Sequence, residues 1–330
     1  LDRYVTFAGN RLLVDETLIA TESVGAREES ADQITNFLLG NRGFFGSRRS
    51  KSLDLHSDEV IQVLFELALV NQGVGKNGRV TELCSEILDQ RQDDAAAYSK
   101  RADAYVAMDQ FHEALADYGE ALRCNCDFTA AYIGRSEIVR AMGRFEEALA
   151  DHDQIIRLLP DDAQAHFDRG STNQALVHNE EALSDYVRAI ELNPQQTQAY
   201  FNSGIIYMKL GRFQAAREVF NEAVHLNPVD ITYYHRGRSS EELGLLEEAL
   251  ADYDTAIEQN PRMAKAYGKR GRVLLLLSRY PEAMASYADA IRLNATDVQS
   301  RSGFGLVNQI LGNNEAAIEA FSSAIRLDPD

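Results

Sequence analysis

Arginine and aspartate recur together in this sequence at an interval of sixteen residues. The four pairs are Arg101 with Asp117, Arg135 with Asp151, Arg169 with Asp185, and Arg236 with Asp252. An arginine and a carboxylate held at a fixed spacing can form a bidentate ion pair, which orients both side chains. A repeated catalytic or ligand-binding pair is the alternative interpretation. Because a charge at a repeated packing position is usually architectural, we predict that the pairs are structural and join the two helices of each repeat.

A second charged group occupies one face of a single predicted helix, with one further cation before it. It consists of Lys265, Lys269 and Arg272, preceded by Arg238. Like charges four residues apart on a helix repel each other by a few tenths of a kcal/mol. Since the chain carries a net charge of −18, a retained basic cluster predicts a binding site for an acidic partner segment. The alternative is a solvated face balanced by Glu241 and Glu242.

Other chemistry finds little support in the sequence. There is no GxxxxGK[ST], HExxH or GxSxG motif, so we predict a protein that is not an enzyme and has no cofactor. Cys124 and Cys126 resemble half of a metal site, but no second cysteine pair follows them, and we predict no bound metal. The strong negative charge disfavours nucleic acid, and no apolar run is long enough for membrane insertion.

The elements that position these groups follow from a repeated phrase. EEALADYDTAIEQNP from Glu247 restates HEALADYGEALRCNC from His112, and similar phrases recur at intervals of about 34 residues. Small residues alternate with rings at fixed places in each copy, with the 3.6-residue period of amphipathic helices. Glycines such as Gly143 and Gly211 fall where the first helix ends, and prolines follow the second helix. Each copy therefore predicts two packed helices.

This pattern closely resembles the tetratricopeptide repeat, a 34-residue helix pair. The resemblance implies an all-α protein, a right-handed α-solenoid of about eight repeats over residues 58–330, with a degenerate first repeat. Residues 1–57 lack the period and are predicted to be an N-terminal arm or linker, in which residues 4–14 favour extended chain or a hairpin.

The resemblance also implies which positions of each first helix face the concave surface. Applied here, it places an apolar band on that surface, formed by Phe167, Phe201, Ile205, Met208 and Tyr234. An exposed apolar stripe is typical of a partner site. The alternative is that the N-terminal arm or tight curvature covers these rings.

The function implied by the family is binding of other proteins. We expect a scaffold that holds partner polypeptides within a larger assembly, through apolar or helical segments on the band and acidic segments on the basic cluster. The alternative is a regulatory or co-chaperone adaptor that binds short peptides transiently. The last repeat has no polar cap, so we expect a contact or a continuation of the array at that end. The three cysteines form no disulfide framework, which favours an intracellular, cytoplasmic setting, with a cytoskeletal or ciliary assembly as one option.

Overall fold

The computed structural model describes residues 5–8, 11–14 and 58–328. Strands β1 (Val5–Ala8) and β2 (Arg11–Val14) pair in antiparallel fashion near the N-terminus. Sixteen helices occupy residues 58–328, and the chain forms two compact units, residues 1–160 and 161–330. No helix in these described ranges has the length and apolar character needed to cross a membrane.

The first unit contains three helix pairs. They are α1 (Asp58–Gly73) with α2 (Asn77–Gln90), α3 (Ala95–Val106) with α4 (Phe111–Cys124), and α5 (Thr129–Ala141) with α6 (Phe145–Leu158). Short loops join contacting partners, so the helices of each pair are antiparallel. Consecutive pairs also contact each other, and the unit is a stack of helical repeats.

The second unit contains five pairs of the same kind. They are α7 (Ala163–Ala175) with α8 (Asn179–Leu192), α9 (Thr197–Lys209) with α10 (Phe213–Leu226), α11 (Asp230–Glu242) with α12 (Leu246–Gln259), α13 (Ala264–Leu276) with α14 (Tyr280–Leu293), and α15 (Val298–Ile310) with α16 (Asn314–Leu327). Helix α11 contacts both α9 and α13, and α13 contacts α15. The first helices of the repeats therefore line one face of this unit.

A glycine facing a ring sets the distance between the two helices of a repeat. A Cβ built on Gly204 would lie 2.6 Å from Phe220 Cζ, closer than real contacts allow. Phe220 is fully buried, as are the corresponding rings Tyr186 and Tyr253 in neighbouring repeats. The missing side chain lets the first helix rest directly on the ring, which is the close packing that the small-residue pattern predicts.

The loop inside each repeat turns through a left-handed residue. Gly143, Gly211, Gly244 and Gly312 have φ between 70° and 82°, a conformation that glycine adopts without a steric penalty. Ser278 and Val177 adopt the same conformation at the equivalent position of their repeats, with φ of 58° and 64°. A β-branched side chain is strained there, so the Val177 loop follows the geometry of the repeat rather than its own preference.

The predicted all-α solenoid class is confirmed, and from Ala95 onward the first helices of successive repeats begin 33 or 34 residues apart, as the predicted period of about 34 residues requires. The first helix of the array begins at Asp58. The predicted division into an arm and an array stays a prediction. The strand pair at Val5–Val14 agrees with the extended pattern of that segment.

Candidate functional site

Both Arg–Asp pairs of the first unit form within one repeat. Arg101 donates from Nε and Nη2 to the Asp117 carboxylate at 2.7 and 2.8 Å. Arg135 donates in the same way to Asp151 at 2.9 and 2.5 Å. Both carboxylates are buried. The fork geometry joins the first helix of the repeat to the second at a fixed distance and angle.

The pairs of the second unit have the same arrangement. Arg169 Nη2 donates to Asp185 at 2.6 Å, and Arg236 donates to Asp252 at 3.0 and 2.6 Å. Hydrogen bonding to Asp252 raises the pKa of Arg236. In the α13–α14 repeat a serine replaces the aspartate, and Arg270 Nε donates to the Ser286 hydroxyl at 3.1 Å.

The arginines have a second acceptor that the sequence reasoning missed. Arg236 Nη1 donates to Asn221 of the preceding repeat at 2.7 Å, and Arg270 Nη1 donates to Asp254 at 3.0 Å. In the first unit Arg101 Nη1 donates to Ser85 at 3.0 Å. The signal was present, because each of these three acceptors lies fifteen or sixteen residues before its arginine. The guanidinium groups of Arg101, Arg236 and Arg270 thus each link three helices, two in their own repeat and one in the repeat before.

The predicted apolar band is only partly open to solvent. Phe167, Phe201, Ile205 and Met208 are half-buried on α7 and α9. The Phe167 ring lies 5.6 Å from that of Tyr186. Phe201 meets Phe220 edge to face at 5.8 Å. These side chains therefore offer apolar surface on the face lined by first helices while one side of each contributes to packing.

Tyr234 departs from that expectation. Only 7% of the residue is exposed, so it does not extend the band as an open ring. Its ring packs 6.0 Å from that of Tyr253, and the Arg238 guanidinium lies over it at 5.9 Å. Tyr234 instead forms part of the wall beneath the basic cluster.

His235 closes the space between the band and Tyr234. Its ring stacks on Phe220 at 5.7 Å and meets Phe201 and Tyr234 edge to face. Burial, assisted by the nearby charges of Arg238 and Lys265, lowers the pKa of His235 to about 4. The imidazole is therefore neutral near pH 7 and acts as one more ring of the packing.

All four predicted cations line one cleft of the second unit. The cleft has a volume of about 420 Å³, and its cationic residues are Arg238, Lys265, Lys269 and Arg272. Tyr234 and Tyr287 form part of its wall, and Asp297 and Ser300 belong to the turn and helix start at its far side. We call this site the basic cleft. It lies among α11, α13, α14 and α15.

The cations of the basic cleft differ in how far they are neutralised. Arg272 Nε lies 2.6 Å from Oε1 of Glu241, without the alignment of a hydrogen bond, and Nη2 lies 3.8 Å from Glu242. The Glu241 carboxylate is buried and also accepts a hydrogen bond of 2.6 Å from the Tyr253 hydroxyl. The balancing role foreseen for Glu241 and Glu242 therefore applies to Arg272.

The remaining cations have no such partner. Lys265 is exposed, Lys269 is half-buried, and neither forms an ion pair within the described chain. Burial lowers the pKa of Lys269; the charge of Glu241 opposes this shift, and those of Arg272 and Arg238 add to it. The charged form of Lys269 is stabilised by an incoming negative charge, because that charge offsets both the cost of burying the ammonium group and the repulsion from Arg272 and Arg238.

Gly268 opens the basic cleft. It occupies the position at which the two preceding repeats place Tyr234 and Phe201. A Cβ at this position would lie 2.6 Å from Ser300 Oγ. The absent side chain thus lets α15 approach α13 and leaves a hollow between them. Sequence reasoning did not identify Gly268, although its departure from the ring pattern was visible.

The far side of the cleft carries the one acidic group among the lining residues. Asp297 precedes α15 and accepts hydrogen bonds from the Ser300 backbone N–H at 3.2 Å and the Ser300 hydroxyl at 2.6 Å. Its carboxylate is thereby committed to capping the helix. Elsewhere, among the residues that the structure describes, no group of three His, Cys, Asp or Glu side chains could hold a metal ion.

The solved structures that resemble this chain include three with the following similarities. A tetratricopeptide repeat protein from Parabacteroides merdae shares 19% identity, covering 75% of this chain and 98% of its own, with a TM-score of 0.51. PilF of Pseudomonas aeruginosa shares 16% identity over 61% and 92%, with a TM-score of 0.52. YrrB, described as having an unusual peptide-binding site, shares 22% over 54% and 93%, with a TM-score of 0.49. No curated protein matches the sequence.

The family comparison is more extensive. The tetratricopeptide repeat model matches residues 99–163, 174–231 and 234–298, and a second model with the same description matches residues 299–330. These segments cover well over half of the chain and follow the helix pairs of both units. The chain therefore belongs to the tetratricopeptide repeat family, whose helix pairs serve as protein–protein interaction modules.

Proposed function

We propose that the second unit is a scaffold surface that holds an acidic polypeptide segment in the basic cleft. The observation that carries this proposal is the convergence of Arg238, Lys265, Lys269 and Arg272 on one hollow in a chain of net charge −18. A local basic site attracts acidic segments, which the remaining, mostly negative surface of the protein repels.

The apolar band extends the proposed contact. Phe167, Phe201, Ile205 and Met208 lie half-buried on helices of the same unit, and α9 contacts α11, which carries Arg238. An amphipathic helix of the partner would place its apolar side chains on the band and its acidic ones over the cations. Such helix-in-groove binding uses anchors spaced three or four residues apart.

The size of the basic cleft supports a second candidate. A volume of about 420 Å³ accommodates only a few side chains, which favours a regulatory adaptor that binds short peptides transiently. The two functions differ in lifetime. A scaffold complex remains intact through gel filtration, whereas an adaptor complex dissociates and shows micromolar affinity for an isolated peptide.

Charge reversal tests both candidates. The probe is a fluorescein-labelled twelve-residue peptide that alternates glutamate pairs with leucine, titrated in low salt. Lys265→Glu combined with Lys269→Glu is expected to weaken binding at least tenfold, because two attractions become repulsions. Lys209→Glu is the matched control, since this lysine is exposed on α9 outside the cleft. Equal affinity in the double variant and the control would remove the proposed acidic site.

A further inference from the structure

Tyr287 has a hydroxyl without the acceptor that its counterparts have. In three other repeats the equivalent tyrosine donates to a side chain of its own first helix: Tyr118 to Asp103 at 2.7 Å, Tyr186 to Gln174 at 2.7 Å, and Tyr253 to Glu241 at 2.6 Å. These acceptors lie fifteen or twelve residues before the ring. At those two positions Tyr287 has Arg272 and Leu275, neither of which accepts a hydrogen bond.

The hydroxyl therefore belongs to the basic cleft rather than to the helix pair. Tyr287 is only 4% exposed, lines the cleft, and makes no side-chain hydrogen bond within the described chain. The hydroxyl oxygen is accessible from the cleft and not fully enclosed, so a ligand or a water molecule there can accept from it. The donor adjoins Arg272, whose positive charge acts on the ring. The Tyr287 hydroxyl is thus a neutral donor in the cleft that Arg238, Lys265 and Lys269 also line.

The positive charge of the cleft exceeds what one carboxylate needs. Four cations line it, of which Arg272 faces Glu241 and Glu242. Arg238, Lys265 and Lys269 form no ion pair within the described chain, and Asp297 is the one carboxylate among the lining residues. A side-chain carboxylate supplies one negative charge and two oxygens, whereas a phosphate monoester carries a charge of about −1.5 to −2 and three terminal oxygens at pH 7.

The start of α15 adds to this preference. Gln299 and Ser300 of its first turn line the cleft. The Ser300 N–H and hydroxyl already donate to Asp297, so the donor from this helix is the side-chain amide of Gln299. Gly268 provides the room, because a ring at this position would fill the space between α13 and α15. Donors therefore approach the hollow from α11, α13, α14 and α15.

We infer that the basic cleft binds the phosphate group of a phosphorylated serine or threonine in the partner segment. This inference rests on the proposed function and specifies the anion. Lys265, Lys269 and Arg238 supply the attracting charge, and the Tyr287 hydroxyl donates to one phosphate oxygen. The rest of the hollow receives the residues on either side of the phosphorylated one.

The test uses the full chain and three fluorescein-labelled peptides that differ only at the central residue. That residue is serine, glutamate or phosphoserine, within otherwise identical glutamate- and leucine-containing sequences. The phosphoserine peptide is expected to bind at least tenfold more tightly than the glutamate peptide. Inorganic phosphate is expected to compete only at millimolar concentration, since it lacks the flanking contacts.

Tyr287→Phe tests the role of the hydroxyl. It is expected to reduce the ratio of phosphoserine to glutamate affinity by about threefold or more, while a merely structural effect would weaken both peptides equally. Tyr118→Phe is the matched control, because it removes an equivalent hydroxyl far along the chain from the cleft and leaves the ratio unchanged. Circular dichroism establishes that both variants keep their helix content.

Each other outcome overturns a defined part of the hypothesis. Equal binding of the glutamate and phosphoserine peptides removes the phosphate inference and leaves the acidic-segment function intact. Binding of none of the peptides removes both. Inorganic phosphate that competes as strongly as the phosphopeptide assigns the cleft to free phosphate and removes the peptide partner from the inference.

Discussion

The α9–α10 and α13–α14 repeats of the second unit have the same packing between their two helices but differ in the surface that they expose. In both, a first-helix glycine rests on a second-helix ring, Gly204 on Phe220 and Gly271 on Tyr287. Three residues before that glycine, however, the first repeat has Phe201 and the second has Gly268. The ring closes its surface against Phe220 and His235, whereas the glycine leaves the basic cleft open.

This difference separates what builds the array from what the array recognises. The glycine and ring recur because every helix pair must solve the same packing problem. Phe201 and Gly268 occupy a position on the shared face, where neighbouring repeats impose weaker restrictions. A change there alters the ligand surface while the helix pair keeps its geometry. We therefore expect substitutions at the shared positions to affect stability, and substitutions at the variable position to affect binding.

Adding one methyl group beneath the rings is expected to have the largest effect on stability. Gly204→Ala would place a Cβ 2.6 Å from the fully buried Phe220 ring, and Gly271→Ala would place one 2.9 Å from Tyr287. Overpacking of this kind lowers the free energy of unfolding by about 2–3 kcal/mol. Urea unfolding of both variants, followed by circular dichroism, measures the loss.

The matched control for these variants is Gly119→Ala in the first unit. Gly119 lies inside α4, and a Cβ there meets no atom within 4 Å. Alanine is favoured over glycine in a helix by about 1 kcal/mol, so this variant is expected to be slightly more stable. If Gly271→Ala left the free energy of unfolding as high as the control does while Gly204→Ala lowered it, the two repeats would not have the same packing between their helices.

Acidification is expected to lower the free energy of unfolding through protonation of His235, whose ring packs against Phe201 and Phe220 of the α9–α10 repeat. Its pKa of about 4 lies below the ordinary value of 6.5, so the unfolded chain binds the proton more readily than the folded chain. The stabilising contribution is complete above pH 6.5 and is lost as the pH falls from 6.5 to 4. The loss is on the order of 3 kcal/mol.

His235→Phe removes this contribution, because a phenyl ring fits among Phe201, Phe220 and Tyr234 without a titrating group. The free energy of unfolding of both proteins, measured by urea titration at pH 7, 5.5 and 4.5, gives the difference directly. The gap between them should move in favour of the variant as the pH falls. A constant gap would show that His235 titrates normally and is not enclosed by the rings.

The sequence predicts the repeated features of the fold better than the site. The period, the glycine–ring pairs and the Arg–Asp spacing depend on positions within one repeat, and the helix boundaries followed from them. The burial of Tyr234 cannot be predicted from the repeat pattern alone, because it depends on the contacts of its ring with Arg238 and Tyr253. Tyr287, Asp297 and Ser300 reach the cleft from the next elements along the chain. Their contribution depends on how closely α13 and α15 approach, which no single repeat specifies.

Restoring the missing aspartate is expected to give a smaller effect. Ser286→Asp supplies Arg270 with the carboxylate that Arg236 has in Asp252, at a position where only 1% of the serine is exposed. The attraction is largely cancelled by the burial of a charge, so stability should rise by less than about 1 kcal/mol. Asp252→Ser is the reciprocal variant and should lose about 1–3 kcal/mol, because it removes a charged hydrogen-bond partner already present. Thermal unfolding of the two variants measures both changes in stability. Changes that are equal and opposite would contradict this asymmetry.

The smallest expected effect concerns the loops of the two repeats. Gly211 in the α9–α10 loop and Ser278 in the α13–α14 loop both have positive φ, 70° and 58°. A non-glycine residue in this conformation costs about 1 kcal/mol, so Gly211→Ser should lower stability and Ser278→Gly should raise it by a similar amount or less. The gain is smaller because glycine also increases the freedom of the unfolded chain.

Neither loop lies among the residues of the basic cleft, so the affinity of both variants for the acidic peptide should equal that of the wild type. Altered affinity in Ser278→Gly alone would mean that this loop sets the position of α13, and that the open repeat depends on more than Gly268.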